Sequence, residues 1–157
     1  MIHFTEGNMF ENTQADCFVN PVNCFGVMGA GLAKQFKQKF PSNFEKYVED
    51  CKFAQMSIGV VTKYHDFLDA KPVYIYNFPT KHHWKDPSTL AFIAKGMKNL
   101  RQRMDGLSNP HGICIPQLGC GLGGLDWKDV RPLILAELEK LQYPELWNVF
   151  IYGKEHD

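Results

Sequence analysis

Lys81 closes the run Asn77-Phe-Pro-Thr-Lys81 and is followed at once by His82-His83-Trp84, an unusual concentration of reactive and aromatic side chains. A lysine ammonium shifted by desolvation or by neighbouring cations becomes a nucleophile toward a carbonyl or acetal-like carbon, and adjacent imidazoles can carry protons. A solvated surface lysine is the commoner fate of the residue, and that reading stays open on composition. Elsewhere the chain has two glycine-rich segments, Pro21-Val-Asn-Cys-Phe-Gly-Val-Met-Gly29-Ala-Gly31 and Gly119-Cys-Gly121-Leu-Gly123-Gly124. Glycines allow backbone N–H groups to turn toward an anion at the positive end of a following helix. Either segment alone is as well explained by a tight turn. Two of them in a small, neutral chain without an arginine cluster favour a diphosphate gripped by main-chain donors from both sides, hence a nucleotide diphosphate ligand.

Several other residues have two readings. Asn20 and Asn23 bracket Pro21-Val22, where carboxamides offer ribose hydroxyls both a donor and an acceptor; the alternative is a pair of turn-making asparagines. Trp84 and Phe78 can stack on a base or ribose, or pack in the core. Asp126 reads as a helix cap rather than an acid. The pair His82-His83 forms no metal site by spacing, because neighbours on an extended segment point apart and no Cys or carboxylate joins them. Gly119–Gly124 resembles a dinucleotide fingerprint, but one further strand leaves no room for a nicotinamide half, and no GxxxxGK[ST] occurs.

These residues need a scaffold, and strand-like and helix-like stretches alternate along all 157 residues with no linker or repeat. Strands are expected at Ile2–Thr5, 17–20, 59–64, 72–78, 112–116 and Trp147–Tyr152, with Pro79 stopping the fourth. Helices are expected at 30–40, from Pro41 through Tyr47 and Val48, from a Ser88 cap to about Met104, and over 126–141 after Asp126. About six strands with intervening helices make an α/β sheet covered on both faces, in one domain spanning 1–157. Both glycine segments fall between a strand and a helix, at the carboxyl edge where open α/β sheets hold ligands.

Composition limits the partners. Lys plus Arg and Asp plus Glu number 17 each, so no net field draws a polyanion and any nucleic-acid contact must be local. Five cysteines without CxxC spacing read as buried thiols in a reducing cytosol. The amino terminus has no secretory pattern and no apolar run is long enough to span a bilayer, so a cytoplasmic protein without membrane contact is expected.

Gly7-Asn8-Met9-Phe10, the segment from Val19 to Ala33, Asn77 to Trp84, and Pro116 to Trp127 together resemble the macrodomain family. The branch they are most similar to holds the DarG antitoxin macrodomains and the terminal ADP-ribose glycohydrolases. The resemblance runs over nearly the whole chain in the same order. It implies a three-layer α/β/α fold with a mixed, largely parallel sheet, and ADP-ribose lying across its crest. By position, Asn8 and Met9 would lie beside the adenine and Asn23 beside the distal ribose. Gly29, Ala30, Gly31, Gly119, Cys120, Gly121, Leu122 and Gly123 would surround the diphosphate, with Thr80 next to the catalytic Lys81 and with Asn20 as a further ligand-binding candidate.

The reaction so implied is removal of ADP-ribose from thymidine in single-stranded DNA, with a DarT-like toxin as the functional counterpart. No cofactor is expected, and the protein is expected to be a monomer. Asn8 stands where many macrodomains carry Asp, which moves adenine recognition toward the backbone. Gly123 stands where the protein-ester hydrolases of the family carry an acid, which points away from that substrate. Two alternatives keep the same pocket: a reader that binds ADP-ribose without chemistry, and a hydrolase of O-acetyl-ADP-ribose or protein esters.

Overall fold

The computed structural model describes residues 1–156. Six strands, β1 (Ile2–Thr5), β2 (Cys17–Asn23), β3 (Thr62–Leu68), β4 (Lys71–Lys81), β5 (His111–Ile115) and β6 (Trp147–Tyr152), form one sheet in the order β1-β6-β5-β2-β4-β3. All neighbours run parallel except the β3–β4 hairpin. The four α-helices are α1 (Gly31–Lys39), α2 (Pro41–Lys52), α3 (Leu90–Asp105) and α4 (Trp127–Leu138). Strand alternation sorts side chains to two faces. Cys17, Val19, Ile113, Ile115, Val149 and Ile151 meet the apolar stripes of α3 and α4. Phe18, Cys114 and Phe150, the residues between them, meet Phe36 and Phe40 from α1 and its end. The architecture is the expected three-layer α/β/α sandwich with a mixed, largely parallel sheet.

Four local expectations are corrected. Strand β4 does not stop at Pro79 but continues to Lys81, with Pro79 paired to Val22. Its pairing with β3 ends at Asn77, so beyond that point β4 has a neighbour on one side only and a missing N–H is tolerated. Strand β3 lies later than expected, at 62–68 rather than 59–64. It is an edge strand with alternating exposure, and turns into β4 through Asp69 and Ala70, both at positive φ, without the Asn-Gly or Asp-Gly pair that marks such turns. Helix α3 is capped by Thr89, whose hydroxyl accepts from Phe92 N at 3.2 Å, while Ser88 is buried outside it. Phe78 is fully buried in the core and is not available for stacking on a ligand.

Phe78 instead fixes how closely α3 lies on β4. A Cβ at Gly96 would come 2.3 Å from the Phe78 ring, so only glycine lets helix and strand approach this far. Gly96→Ala is expected to destabilise the fold by about 1–3 kcal/mol through overpacking, read as a lower denaturant midpoint with an unchanged slope.

Candidate functional site

Strands β2 and β5 pair only through Cys17↔Ile113 and Phe18↔Cys114, then part. From their carboxyl ends the chain leaves in opposite directions, β2 toward α1 on one face and β5 toward α4 on the other. A crevice must open where the connections diverge. It holds a cleft of about 740 Å³, in the range of small-molecule sites. One wall is Val27, Gly29, Ala30, Gly31, Leu32 and Ala33. The facing wall is Gln117, Gly119, Gly121, Leu122 and Gly123, and Thr80, Lys81 and Trp84 border the same space. A second hollow of about 340 Å³ adjoins it, sharing Leu32, Pro116 and Tyr152 and bounded by Gly7, Asn8 and Met9.

The first wall has the properties of an anion cradle. Helix α1 starts after Ala30, which has no side chain to cap it, so its leading amides lack side-chain acceptors. Gly31 has φ +58°, a conformation that puts helix entry beyond most side chains. The loop before it is held by Asn23, whose Oδ1 accepts from Phe25 N at 3.0 Å and Gly26 N at 3.2 Å while its Nδ2 donates to Val27 O at 2.8 Å. The Tyr47 hydroxyl donates to Asn23 from below, at 2.8 Å from Oδ1.

The second wall is tied to the start of α3 and to its own turn. Ser88 N donates to Gly123 O at 3.0 Å and Leu125 N to Gly119 O at 2.9 Å. A Cβ on Gly123 would lie 2.4 Å from Ser88 Oγ and 2.5 Å from Gly119 O, whereas one on Gly121 would meet nothing within 4 Å. Gly123 is therefore required by packing, and Gly121 leaves the wall open toward the cleft. Gly119 has φ +74° and makes the turn itself. Asp126 caps α4, accepting from Lys128 N at 3.1 Å, as its position indicated.

Lys81 reaches the cleft because of a register shift. Val22 pairs with Pro79 but Asn23 pairs with Lys81, so β4 has an extra residue, Thr80, at that point. Thr80 is buried and its hydroxyl donates to Val22 O at 3.3 Å. Cys24 N then donates to both Lys81 O at 3.1 Å and His82 O at 2.9 Å, which anchors the main chain that carries the amine. The partly exposed Lys81 side chain donates from Nζ to Trp84 O at 3.1 Å.

Residues 19–134 match the sequence model of the Macro domain. The chain belongs to the Macro domain family. This macrodomain is 42% identical over 94% of its length to a Thermus aquaticus protein named DNA ADP-ribosyl glycohydrolase, and spans 40% of that relative. A solved structure, the macrodomain of Thermus aquaticus DarG, superposes with a TM-score of 0.87 at 40% identity, covering 98% of this chain and 99% of that one. Thermosipho africanus DarTG, solved in complex with ADP-ribose, superposes with a TM-score of 0.83 at 31% identity, covering 99% of this macrodomain and 42% of that chain. The chain thus spans about 40% of the length of the curated DNA ADP-ribosyl glycohydrolases it matches.

Against these positions, the expected site residues divide. Gly29, Ala30, Gly31, Thr80, Lys81, Gly119, Gly121, Leu122 and Gly123 line one cleft of this macrodomain, and Asn8 and Met9 line the adjoining hollow. Asn23 borders the cleft, but both ends of its carboxamide are engaged in the first loop, so its role is to shape that loop. Asn20 is corrected outright: it is fully buried, with Nδ2 donating to Asn77 Oδ1 at 3.1 Å, and Asn43 of α2 completes the cluster. Asn20 ties β2 to β4 through Asn77, which in turn holds Asn43 of α2, instead of meeting a ligand. Cys120 is also corrected, since it is absent from the cleft lining and its Sγ points to Leu118 O at 3.6 Å. Burial, and then Asp126, push its thiol up to about 11, so it supplies no thiolate at neutral pH.

The cysteines as a group depart from the expectation of buried thiols. Cys17 and Cys114 are buried, but Cys24, Cys51 and Cys120 are only half-buried, Cys24 and Cys120 within the glycine segments and Cys51 packed against Gly26 of the first. All five are free. His82 and His83 do point apart, toward Phe92 and Phe25. Asp16, Cys17 and His111 bring possible ligand atoms within 4.8 Å of one another at the amino ends of β2 and β5, away from the cleft. There Asp16 is already occupied by His111 Nδ1 at 2.6 Å and Gly112 N at 3.1 Å. Tyr152, at the end of β6, borders both hollows and was not among the expected site residues. Only the order of strands reveals it, because its sequence position is remote from every loop motif.

Proposed function

We propose that this macrodomain is an ADP-ribosyl hydrolase that frees ADP-ribose from a modified base in single-stranded DNA. The observation that carries the reading is a single cleft with the uncapped start of α1 on one wall, the 119–123 loop on the other and Lys81 at its border. Two converging rows of main-chain donors suit a diphosphate, which needs opposing partners on its non-bridging oxygens. The adjoining hollow at Asn8 and Met9 is sized for the adenine end. The names of the relatives, DNA ADP-ribosyl glycohydrolase and DarG, and the ADP-ribose in the DarTG complex, agree with this choice of nucleotide and reaction.

In the reaction the bond between C1″ of the distal ribose and the base nitrogen breaks. Lys81 acts at C1″, water supplies the new hydroxyl there, and the water proton leaves with the base. Holding the diphosphate at both walls converts an encounter into a fixed geometry for that displacement. The relation to a DarT-like toxin follows from the same reading: the toxin adds what this domain removes. A monomeric, cytoplasmic protein is part of the proposal.

The test is turnover. Incubated with a single-stranded oligonucleotide ADP-ribosylated on thymidine, the protein is expected to yield free ADP-ribose and unmodified DNA by mass spectrometry. Binding without release would make it a reader, and release only from O-acetyl-ADP-ribose would make it an ester hydrolase.

A further inference from the structure

At the Lys81 end of the cleft, rings crowd on the outside of the molecule. The Phe25 and His83 centroids are 4.4 Å apart, and His83 lies 5.5 Å from Trp84 with the planes inclined by only 28°. Phe25 keeps 57% and Trp84 46% of its surface exposed. Lys85 Nζ stands 5.0 Å from the Trp84 centroid and is itself exposed. Such a series of rings costs apolar exposure and contributes nothing to the described core clusters. The main chain that carries it is hydrogen-bonded in place: Phe25 N donates to Asn23 Oδ1 at 3.0 Å, Lys85 N to His83 Nδ1 at 3.1 Å, and Trp84 O accepts from Lys81.

We propose that Phe25, His83 and Trp84, with Lys85, form a stacking platform for the unpaired nucleotides that flank the modified base in a single strand. The inference rests on the DNA reading and adds to it the surface that tells a strand from an isolated nucleoside. Each base has a face that stacks on an aromatic ring whatever its sequence, and a cation among the rings meets the phosphates between them. The balance of 17 cationic and 17 anionic side chains provides no overall attraction for a polyanion, so a local platform must supply it. The platform is continuous with the cleft through Trp84 and Lys81, which places it on the side from which a base leaving C1″ must extend.

Phe25 and His83 do not line the cleft, so they test the platform without touching the ADP-ribose site. Turnover is measured on two substrates, ADP-ribosylated thymidine mononucleotide and an ADP-ribosylated single-stranded oligonucleotide, for the wild type and for Phe25→Ala, His83→Ala and Phe25→Trp. The alanine variants are expected to raise KM for the oligonucleotide on the order of tenfold, with kcat and mononucleotide turnover unchanged, and Phe25→Trp to restore the wild-type value. Equal losses on both substrates would mean that the rings only support the loop, and no loss on the oligonucleotide would mean that the strand does not touch them; either overturns the platform. Fluorescence anisotropy with the same ADP-ribosylated oligonucleotide gives an answer independent of turnover. If the wild type cleaves neither substrate, the hydrolase reading fails, while weaker binding of the strand by Phe25→Ala still supports the platform and unchanged binding still rejects it.

Discussion

Lys81→Ala is expected to slow release of ADP-ribose from DNA by roughly 10²–10⁴-fold, the usual contribution of one positioned reacting group, and to leave ADP-ribose affinity nearly unchanged. The separation follows from the way residue 81 is mounted. Its main chain is fixed by Cys24 N, which bonds the carbonyls of both Lys81 and His82, and the adjacent Thr80 is fixed to Val22. Truncating the partly exposed side chain therefore removes the amine and its bond to Trp84 O but leaves both walls intact. Lys81→Arg refines the result: it keeps the charge yet cannot act as an amine nucleophile, so recovery of activity in arginine would assign Lys81 an electrostatic role. Single-turnover rates and calorimetric affinities check the two halves separately. A parallel loss of both would make Lys81 a binding residue.

The second large effect belongs to the glycine wall, and contrasts two neighbours. Gly123→Ala forces a methyl group against Ser88 Oγ at 2.4 Å and Gly119 O at 2.5 Å, and because Gly119 belongs to the same loop the turn itself must deform. Displacing the donors by about an ångström is expected to weaken ADP-ribose binding by roughly 10–100-fold. Gly121→Ala meets no protein atom within 4 Å and leaves the loop backbone in place, so it is expected to keep the wild-type stability and to weaken binding less than Gly123→Ala does. Titration calorimetry distinguishes them, and a thermal scan shows whether Gly123→Ala has lost the fold along with the site. Equal affinities would mean that the geometry of the 119–123 loop does not govern the ligand.

What the sequence made legible has a physical pattern. The α4 cap at Asp126, the glycine walls and the alternation of strand and helix are local signals, expressed by residues close together in the chain, and they reappear in the structure. Misreadings occurred where a distant neighbour decides. Pro79 stays in a strand because β3 pairing has ended beside it. Asn20 looked like a ribose ligand, but its register partner is Asn77 and the two carboxamides meet beneath α2. Phe78 lies in the same motif as Lys81 but faces α3, because strand neighbours alternate and Gly96 makes room for its ring. Ser88 was displaced from capping by its attachment to Gly123. The sequence had no sign of Tyr152, whose place depends on β6 lying between β1 and β5.

Capping makes the same point about function. A serine or aspartate at residue 30 would have satisfied the first amides of α1 from within the chain. Ala30 leaves them to a ligand, and the partner loop across the cleft has only glycines, Cys120 and Leu122 between 119 and 124, with no acid to repel a diphosphate. The walls are thus built to accept negative charge although the molecule as a whole has none to spare in either sign.

The most direct measurement is a crystal structure with ADP-ribose bound. The diphosphate oxygens are predicted to lie within hydrogen-bonding distance of main-chain nitrogens from both the Gly31 and the Gly121 segments, with the adenine toward Asn8 and the distal ribose toward Lys81. A nucleotide seated outside the cleft, or a diphosphate held by side-chain cations with those amides facing elsewhere, would contradict the account.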